Sequence, residues 1–190
     1  MNKNRLEAFS DGVLAIIITI MVLEIKVPHG AEFSDLIPLL PIFLSYILSF
    51  IYLAIYWNNH HHLMQTISKV TGGILWANLH LLFWLSLVPF VTGWMGENNF
   101  GPNPMALYGI VLFMAAIAWH ILQIQIIKNH GKDSILAKAI GKDTKGKLSP
   151  FLYAIGIATS WVSPWISGSL FVLVALMWII PDRRIEKNIG

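Results

Sequence analysis

The sequence contains no cysteine and few charged residues. Without cysteine, the chain has no disulfide framework, no thiolate metal site and no cysteine nucleophile. Charged residues make up 12% of the 190 residues and hydrophobic residues 56%, whereas soluble domains carry about a quarter charged residues. So little charge cannot cover the surface of a soluble globule. The composition therefore predicts an integral membrane protein.

Apolar residues gather in six blocks, several of them near the roughly 20 residues that a helix needs to cross a bilayer. The blocks cover approximately residues 6–27, 36–63, 73–96, 104–127, 148–164 and 166–181. The last two meet at Pro164, where proline interrupts the helical hydrogen bonds and favours a tight hairpin. Because no repeat or second domain is visible, we predict one all-α domain over residues 1–190 with six transmembrane helices.

Basic residues are almost missing from one side of this arrangement. Of the 13 lysines and arginines, only Lys26 falls on the side opposite the two termini. Because cytoplasmic loops are enriched in these residues, we predict a cell-membrane protein with both termini in the cytoplasm. The basic excess is assigned to this topology and not to a nucleic-acid partner. The lysine-rich stretch 128–147 is then a cytoplasmic loop whose charges face solvent and lipid headgroups.

Two further absences bear on which functions of a membrane protein the sequence allows. No Thr-Val-Gly-Tyr-Gly segment occurs in the sequence, which excludes a selectivity filter built from carbonyl rings. A secondary transporter needs ionisable groups or broken helices at the midplane of the membrane. No Asp, Glu, Lys or Arg falls near a predicted midplane, and no paired, inverted pattern of helix breaks occurs. A secondary transporter stays open as the first alternative to a channel.

Seven histidines permit another alternative, a histidine-ligated membrane metalloenzyme. The candidate ligands are His60, His61 and His62, together with His80 and His120. Consecutive histidines point in three directions around a helix, so the triplet cannot converge on one ion. The spacings that stack ligands on one helix face are also missing. We therefore predict that the protein is not an enzyme and holds no metal or cofactor.

The first apolar block has a carboxylate near its start. Asp11 lies about one and a half turns after Arg5, and a carboxylate in hydrocarbon costs a few kcal/mol. One interpretation is a helix cap, in which Ser10 or Asp11 accepts hydrogen bonds from free backbone N–H groups. The other starts the helix earlier and makes Arg5, Ser10 and Asp11 a polar cluster against neighbouring helices. The residues alone leave both interpretations open.

After this start the block is apolar all round, and only side-chain size distinguishes its faces. Gly12, Ala15 and Thr19 form a stripe of small residues that allows close approach of another backbone. Branched side chains at Ile16, Ile20 and Leu23 form a second stripe, spaced i, i+4 and i+7. Lipid contact or ordinary core packing explains such a stripe when nothing else is known.

The pattern Arg-x-x-x-Phe-Ser-Asp-Gly-Val-x-Ala-Ile resembles the first-helix signature of the transmembrane protein 175 family of potassium-permeable channels. The residues that carry the resemblance are Arg5, Phe9, Ser10, Asp11, Gly12, Val13, Ala15 and Ile16. The stretch Asn59-His60-His61-His62 at the end of the second block is also similar to that family. Length and number of predicted spans fit the single-repeat prokaryotic form, so the resemblance covers essentially the whole chain.

The resemblance implies a homotetramer in the lipid bilayer, with four first helices lining a central pore for monovalent cations, K⁺ over Na⁺. It also implies a constriction of branched apolar side chains. Ile16 corresponds to the innermost layer, Ile20 and Leu23 to the following layers, and Thr19 to a threonine that supports selectivity. An isoleucine ring can close a pore as a hydrophobic gate, because a cation there loses water without gaining another oxygen ligand. The permeant K⁺ is then the only ligand expected.

The resemblance also implies that the Phe-Ser-Asp motif holds the first helix in the assembly. We predict that Asp11 accepts hydrogen bonds from polar groups on the second and third spans. The candidates are His60, His61, Asn78 and His80.

Glu24 lies at the outer end of the first block, and no family residue corresponds to it. It is either part of a carboxylate ring that concentrates cations at the outer mouth or an ordinary exposed side chain.

Overall fold

The structure, a computed structural model, describes residues 2–131, 133–140 and 143–179, and within them it contains helices and no strand. The all-helical prediction is therefore confirmed. In chain order the helices are α1 (Lys3–Leu23), a 3₁₀ helix (Phe33–Leu39), α2 (Leu40–Gln65), α3 (Gly72–Ser86), α4 (Val88–Glu97), α5 (Pro102–His130), α6 (Ile135–Ile140), α7 (Thr144–Thr159) and α8 (Pro164–Ile179).

Four stretches have the length and composition of membrane-crossing helices. They are Lys3–Leu23, Phe33–Gln65, Gly72–Glu97 and Pro102–His130, at the positions of the first four predicted blocks. The last two blocks form α7 and α8, of 16 residues each, which rise about 24 Å against a hydrocarbon core of about 30 Å. The count of six crossings and the cytoplasmic termini stay predictions. The predicted end of the last block at 181 lies outside the described residues.

The third predicted block is helical but not continuous. Leu87 is both the C-cap of α3 and the N-cap of α4. Pro89 follows two residues later and has no N–H to donate to the turn before it. The helical hydrogen bonds resume when Val91 N–H donates to Leu87 O at 3.2 Å. The chain thus changes from one helix to the next inside a single apolar stretch.

The helices pack into one bundle. α1 contacts α2, α3 and α4, whereas α5 contacts α3, α4 and α7, and α7 pairs with α8 in the predicted hairpin. Phe171 of α8 is fully buried between Gly109 of α5 and Gly156 of α7. A Cβ atom at either glycine would lie 2.6 Å or less from the Phe171 ring. The Phe171 ring can pack this close because both residues lack a side chain, and this contact holds the α7–α8 hairpin against α5.

Candidate functional site on the first helix

The helix α1 has one buried face. Its buried residues recur every three or four positions, which places them on one side of the helix; they are Leu6, Ser10, Leu14, Ile17 and Met21. This side packs against α2, α3 and α4. α1 is therefore held by its own chain along its whole length, but only on one side.

The predicted constriction residues lie on the other side of α1. The side chain of Ile16 is 59% exposed, that of Ile20 41% and that of Leu23 79%, and Thr19 is exposed as well. The hydroxyl of Thr19 donates to Ile16 O at 2.8 Å. The structure thus brings all four predicted residues to one apolar helix face that the chain itself does not cover.

The start of α1 decides between the two interpretations of the motif. The helix begins at Lys3, where the side chain of Asn2 accepts a hydrogen bond from Asn4 N–H at 3.2 Å. Ser10 and Asp11 therefore lie about two turns inside the helix, and the capping interpretation is wrong. Arg5, like the motif residues Phe9 and Gly12, is exposed.

Ser10 is the buried centre of a polar network between three helices. Its hydroxyl donates to Leu6 O at 2.9 Å and accepts from Asn78 Nδ2 on α3 at 2.9 Å. His60 Nε2 on α2 lies 2.7 Å from Asn78 Oδ1, and it must donate because that oxygen only accepts. Ser10 and Asn78 are fully buried and His60 is 1% exposed. The network fixes the rotation of α1 against α2 and α3.

Asp11 has a different partner from those predicted. Its Oδ1 accepts a hydrogen bond from Trp57 Nε1 on α2 at 3.0 Å. Asp11 follows Ser10 and therefore points about 100° further around the helix. Asn78 bonds to Ser10 instead, and His60 bonds to Asn78. Trp57 lies three residues before His60 and thus on the same side of α2. Its indole N–H, which can only donate, is the signal that could have identified it from the sequence.

The other two predicted partners also bond elsewhere. His61 Nδ1 lies 2.9 Å from Glu7 Oε1 on α1, and Gln65 Nε2 lies 2.8 Å from His61 Nε2. The pair of His61 and Glu7, which the sequence analysis missed, is a second connection between α1 and α2. His80 accepts a hydrogen bond from Trp84 Nε1 within α3 at 3.0 Å, so it is not part of the connection.

The far end of α1 is tied to α4. Lys26 Nζ lies 2.7 Å from Glu97 Oε1, and this hydrogen bond together with the charge of Glu97 raises the pKa of Lys26. Glu24 is exposed and borders an open groove of about 580 Å³ between α1 and α4, which Ile16 and Ile20 also line. The carboxylate of Glu24 thus lies beside the exposed apolar face.

The histidines do not form a metal centre in the part of the chain that the structure describes. No group of three or more histidines, aspartates and glutamates converges there. His60 bonds to Asn78 on α3, whereas His61 bonds to Glu7 on α1. His120 lies between Gln123 Oε1 at 3.1 Å and Gly146 O at 2.8 Å, which are hydrogen-bonding contacts inside the bundle.

The chain is similar to known channels over its whole length. The profile of a family described as "Endosomal/lysosomal potassium channel TMEM175" matches residues 5–89, which include α1, α2, α3 and the polar network. A protein of Chryseobacterium sp. (strain P1-3) named a potassium channel is 60% identical over 189 residues, covering 100% of this chain and 98% of that protein. A potassium channel of Chamaesiphon minutus is 34% identical over 184 residues, covering 89% of this chain and 90% of the relative.

The fold, like the sequence, is similar to that of a known channel. The crystal structure of a lysosomal potassium-selective channel TMEM175 homolog from Chamaesiphon minutus matches with a TM-score of 0.83 and 30% identity, covering 95% of this chain and 97% of that chain. The likeness therefore extends from the motif on α1 to the arrangement of the helices. On this evidence the chain belongs to the TMEM175 family, whose named members are channels and not enzymes.

Proposed function

We propose that the protein is a potassium-permeable cation channel of the cell membrane, a homotetramer in which the exposed face of α1 lines the pore. The observation that carries the proposal is that Ile16, Ile20 and Leu23 lie together on the side of α1 that the chain leaves uncovered. Two relatives of similar length are named potassium channels, which supports the ion. The same names weigh against the transporter alternative.

Four copies of this face around one axis would form stacked apolar rings. From Ile16 to Leu23 the helix rises about 10 Å, and the three branched side chains offer no oxygen to a passing ion. A cation crosses such a segment only when the rings are wide enough to admit its water. The rings would therefore act as a gate and as the narrowest part of the pore, in place of a carbonyl filter.

A preference for K⁺ over Na⁺ follows from the same rings. An ion that enters an apolar constriction must give up part of its hydration shell, and K⁺ holds its water less tightly than Na⁺. Thr19 is exposed on the same face, and its hydroxyl oxygen would supply one of the few polar contacts there. This mechanism predicts a modest preference, because no set of oxygen ligands matches the size of one ion.

The polar network would give the pore helix its fixed orientation. Ser10 bonds to Asn78 and Asp11 to Trp57, at the end of α1 that the distribution of lysine and arginine assigns to the cytoplasm. At the other end, Lys26 bonds to Glu97. With both ends anchored to neighbouring helices, the apolar face between them can be held towards the axis.

Reversal potentials in a planar bilayer test the proposed function directly. The purified protein is reconstituted into the bilayer with K⁺ on one side and Na⁺ on the other. In a separate sample, light scattering of the detergent-purified protein gives the mass of the assembly. We expect the mass of a tetramer. We also expect a reversal potential whose sign shows that K⁺ permeates more readily than Na⁺. A monomer, or the absence of any current above that of protein-free bilayers, would contradict the proposal.

A further inference from the structure

The lysine-rich stretch 128–147 has no part in the proposed pore. It contains six lysines against two aspartates. Among its described residues, Lys128, Lys138 and Lys147 are exposed, and none of these three forms a salt bridge within the part of the chain that the structure describes. Lys147, in the first turn of α7, is therefore an exposed lysine that has no salt bridge among the described residues.

One face of α7 joins this charge to an apolar surface. Thr144, Lys147, Leu148 and Phe151 line an open groove of about 540 Å³, and their spacing of three and four places them on one side of the helix. Leu148 is 40% exposed and Phe151 62%. The face continues to Ala158, which is also exposed, about 16 Å along the helix from Lys147.

The opposite side of α7 is buried in the bundle. Tyr153 is 3% exposed, and the hydroxyl of Ser149 accepts a hydrogen bond from Trp178 Nε1 on α8 at 2.8 Å. Asp143, which precedes Thr144 in the chain, is 9% exposed, and its Oδ1 accepts a hydrogen bond from Gly146 N–H at 3.2 Å. The charged side chain that lines the groove is that of Lys147.

We propose that the exposed face of α7 binds an anionic phospholipid. The phosphate lies beside the ammonium of Lys147 and the hydroxyl of Thr144, and an acyl chain runs along Leu148, Phe151 and Ala158. The order of groups on the face, first cationic and then apolar for about 16 Å, is the order of groups in a lipid. Basic segments next to a membrane-spanning helix attract anionic headgroups in this way.

The charge of the face distinguishes this occupant from a second copy of the chain. Two copies that met through the same face would bring two lysine-rich ends together, and like charges oppose that contact. A small soluble anion would use the lysines but leave the apolar groove unfilled. A phospholipid satisfies both parts of the face.

Native mass spectrometry of the detergent-purified protein tests the proposal. Phosphatidylglycerol or phosphatidylcholine is added, and bound lipids are counted for the wild type, Lys147→Gln, Lys147→Arg and the control Lys69→Gln. Lys69 is an exposed lysine on the predicted cytoplasmic side, outside α7. We expect Lys147→Gln to weaken phosphatidylglycerol binding about fivefold, the effect of one lysine at an anionic surface, and Lys147→Arg to keep it.

A second measurement places the lipid on the face. Because the chain has no cysteine, a single Ala154→Cys or Val172→Cys variant can be labelled with a fluorophore; both positions are exposed, the first on this face and the second on α8. Brominated phosphatidylglycerol, as a minor component of phosphatidylcholine vesicles, should quench the label at 154 more strongly. Equal quenching at both positions, or equal weakening by Lys147→Gln and Lys69→Gln, would overturn the proposal.

Discussion

Ile16→Asn is expected to raise cation flux by at least about tenfold, which corresponds to lowering the barrier by about 1.4 kcal/mol, and to remove the preference for K⁺ over Na⁺. The proposed ring of isoleucines offers an ion no ligand. A ring of asparagines would place four amide oxygens at the same level and keep water there. Both K⁺ and Na⁺ would then pass without losing as much hydration.

The measurement is cation flux into proteoliposomes, with reversal potentials recorded under a K⁺/Na⁺ gradient. Val22→Asn is the matched control, because Val22 is an exposed apolar residue of the same helix, 47% exposed, but lies off the proposed stripe. Size-exclusion chromatography checks that each variant keeps its assembly. If Ile16→Asn conducts like the wild type, or if Val22→Asn leaks equally, Ile16 is not the constriction.

The second large effect is expected at the centre of the polar network. Asn78→Ala removes the side chain that joins Ser10 of α1 to His60 of α2. It leaves His60 Nε2 buried without its acceptor, whereas the Ser10 hydroxyl keeps its bond to Leu6 O. Each unpaired buried group costs about 1–3 kcal/mol. We expect a clear loss of thermal stability together with a loss of K⁺ selectivity, because α1 is no longer held in one rotation.

Two comparisons make this prediction specific. Asn129→Ala removes an exposed asparagine whose Nδ2 donates to Gln125 O of the same helix at 2.6 Å, and it should change little. In a double-mutant cycle, Ser10→Ala should cost much less in the Asn78→Ala background than in the wild type. Additive effects of the two substitutions on melting temperature would mean that the hydrogen bond between them does not stabilise α1.

The helical class and the positions of the helices follow from hydrophobicity, whereas the break at Leu87 does not. Apolar blocks must form helices in a membrane because the backbone has to satisfy its own hydrogen bonds there. Proline is tolerated near the start of a helix and within long membrane helices alike. Pro89 alone therefore could not tell a new helix from a kink, and the structure shows that α4 begins at Val88.

The sequence indicated where the polar network lies but not which side chains in it are hydrogen-bonded to each other. The motif placed Ser10 and Asp11 near the histidines of α2, and the structure joins α1 to that region. Which oxygen meets which donor depends on rotations of about 100° between consecutive residues, and a sequence pattern does not fix the relative rotation of two helices. For this reason Asn78 joins Ser10, and Trp57 takes the place predicted for the histidines at Asp11.

The central claim, that the uncovered face of α1 lines the pore, is tested most directly by two neighbouring cysteine substitutions. Leu23 and Val22 are adjacent at the end of α1 that is predicted to face outward, and the sequence has no cysteine that would also react. A membrane-impermeant, charged thiol reagent is added to the outer side while K⁺ current is recorded. We expect the reagent to block the current of Leu23→Cys and to leave that of Val22→Cys unchanged. Two results would contradict the claim: an unchanged current in Leu23→Cys channels that have reacted completely with the reagent, or equal block of both variants.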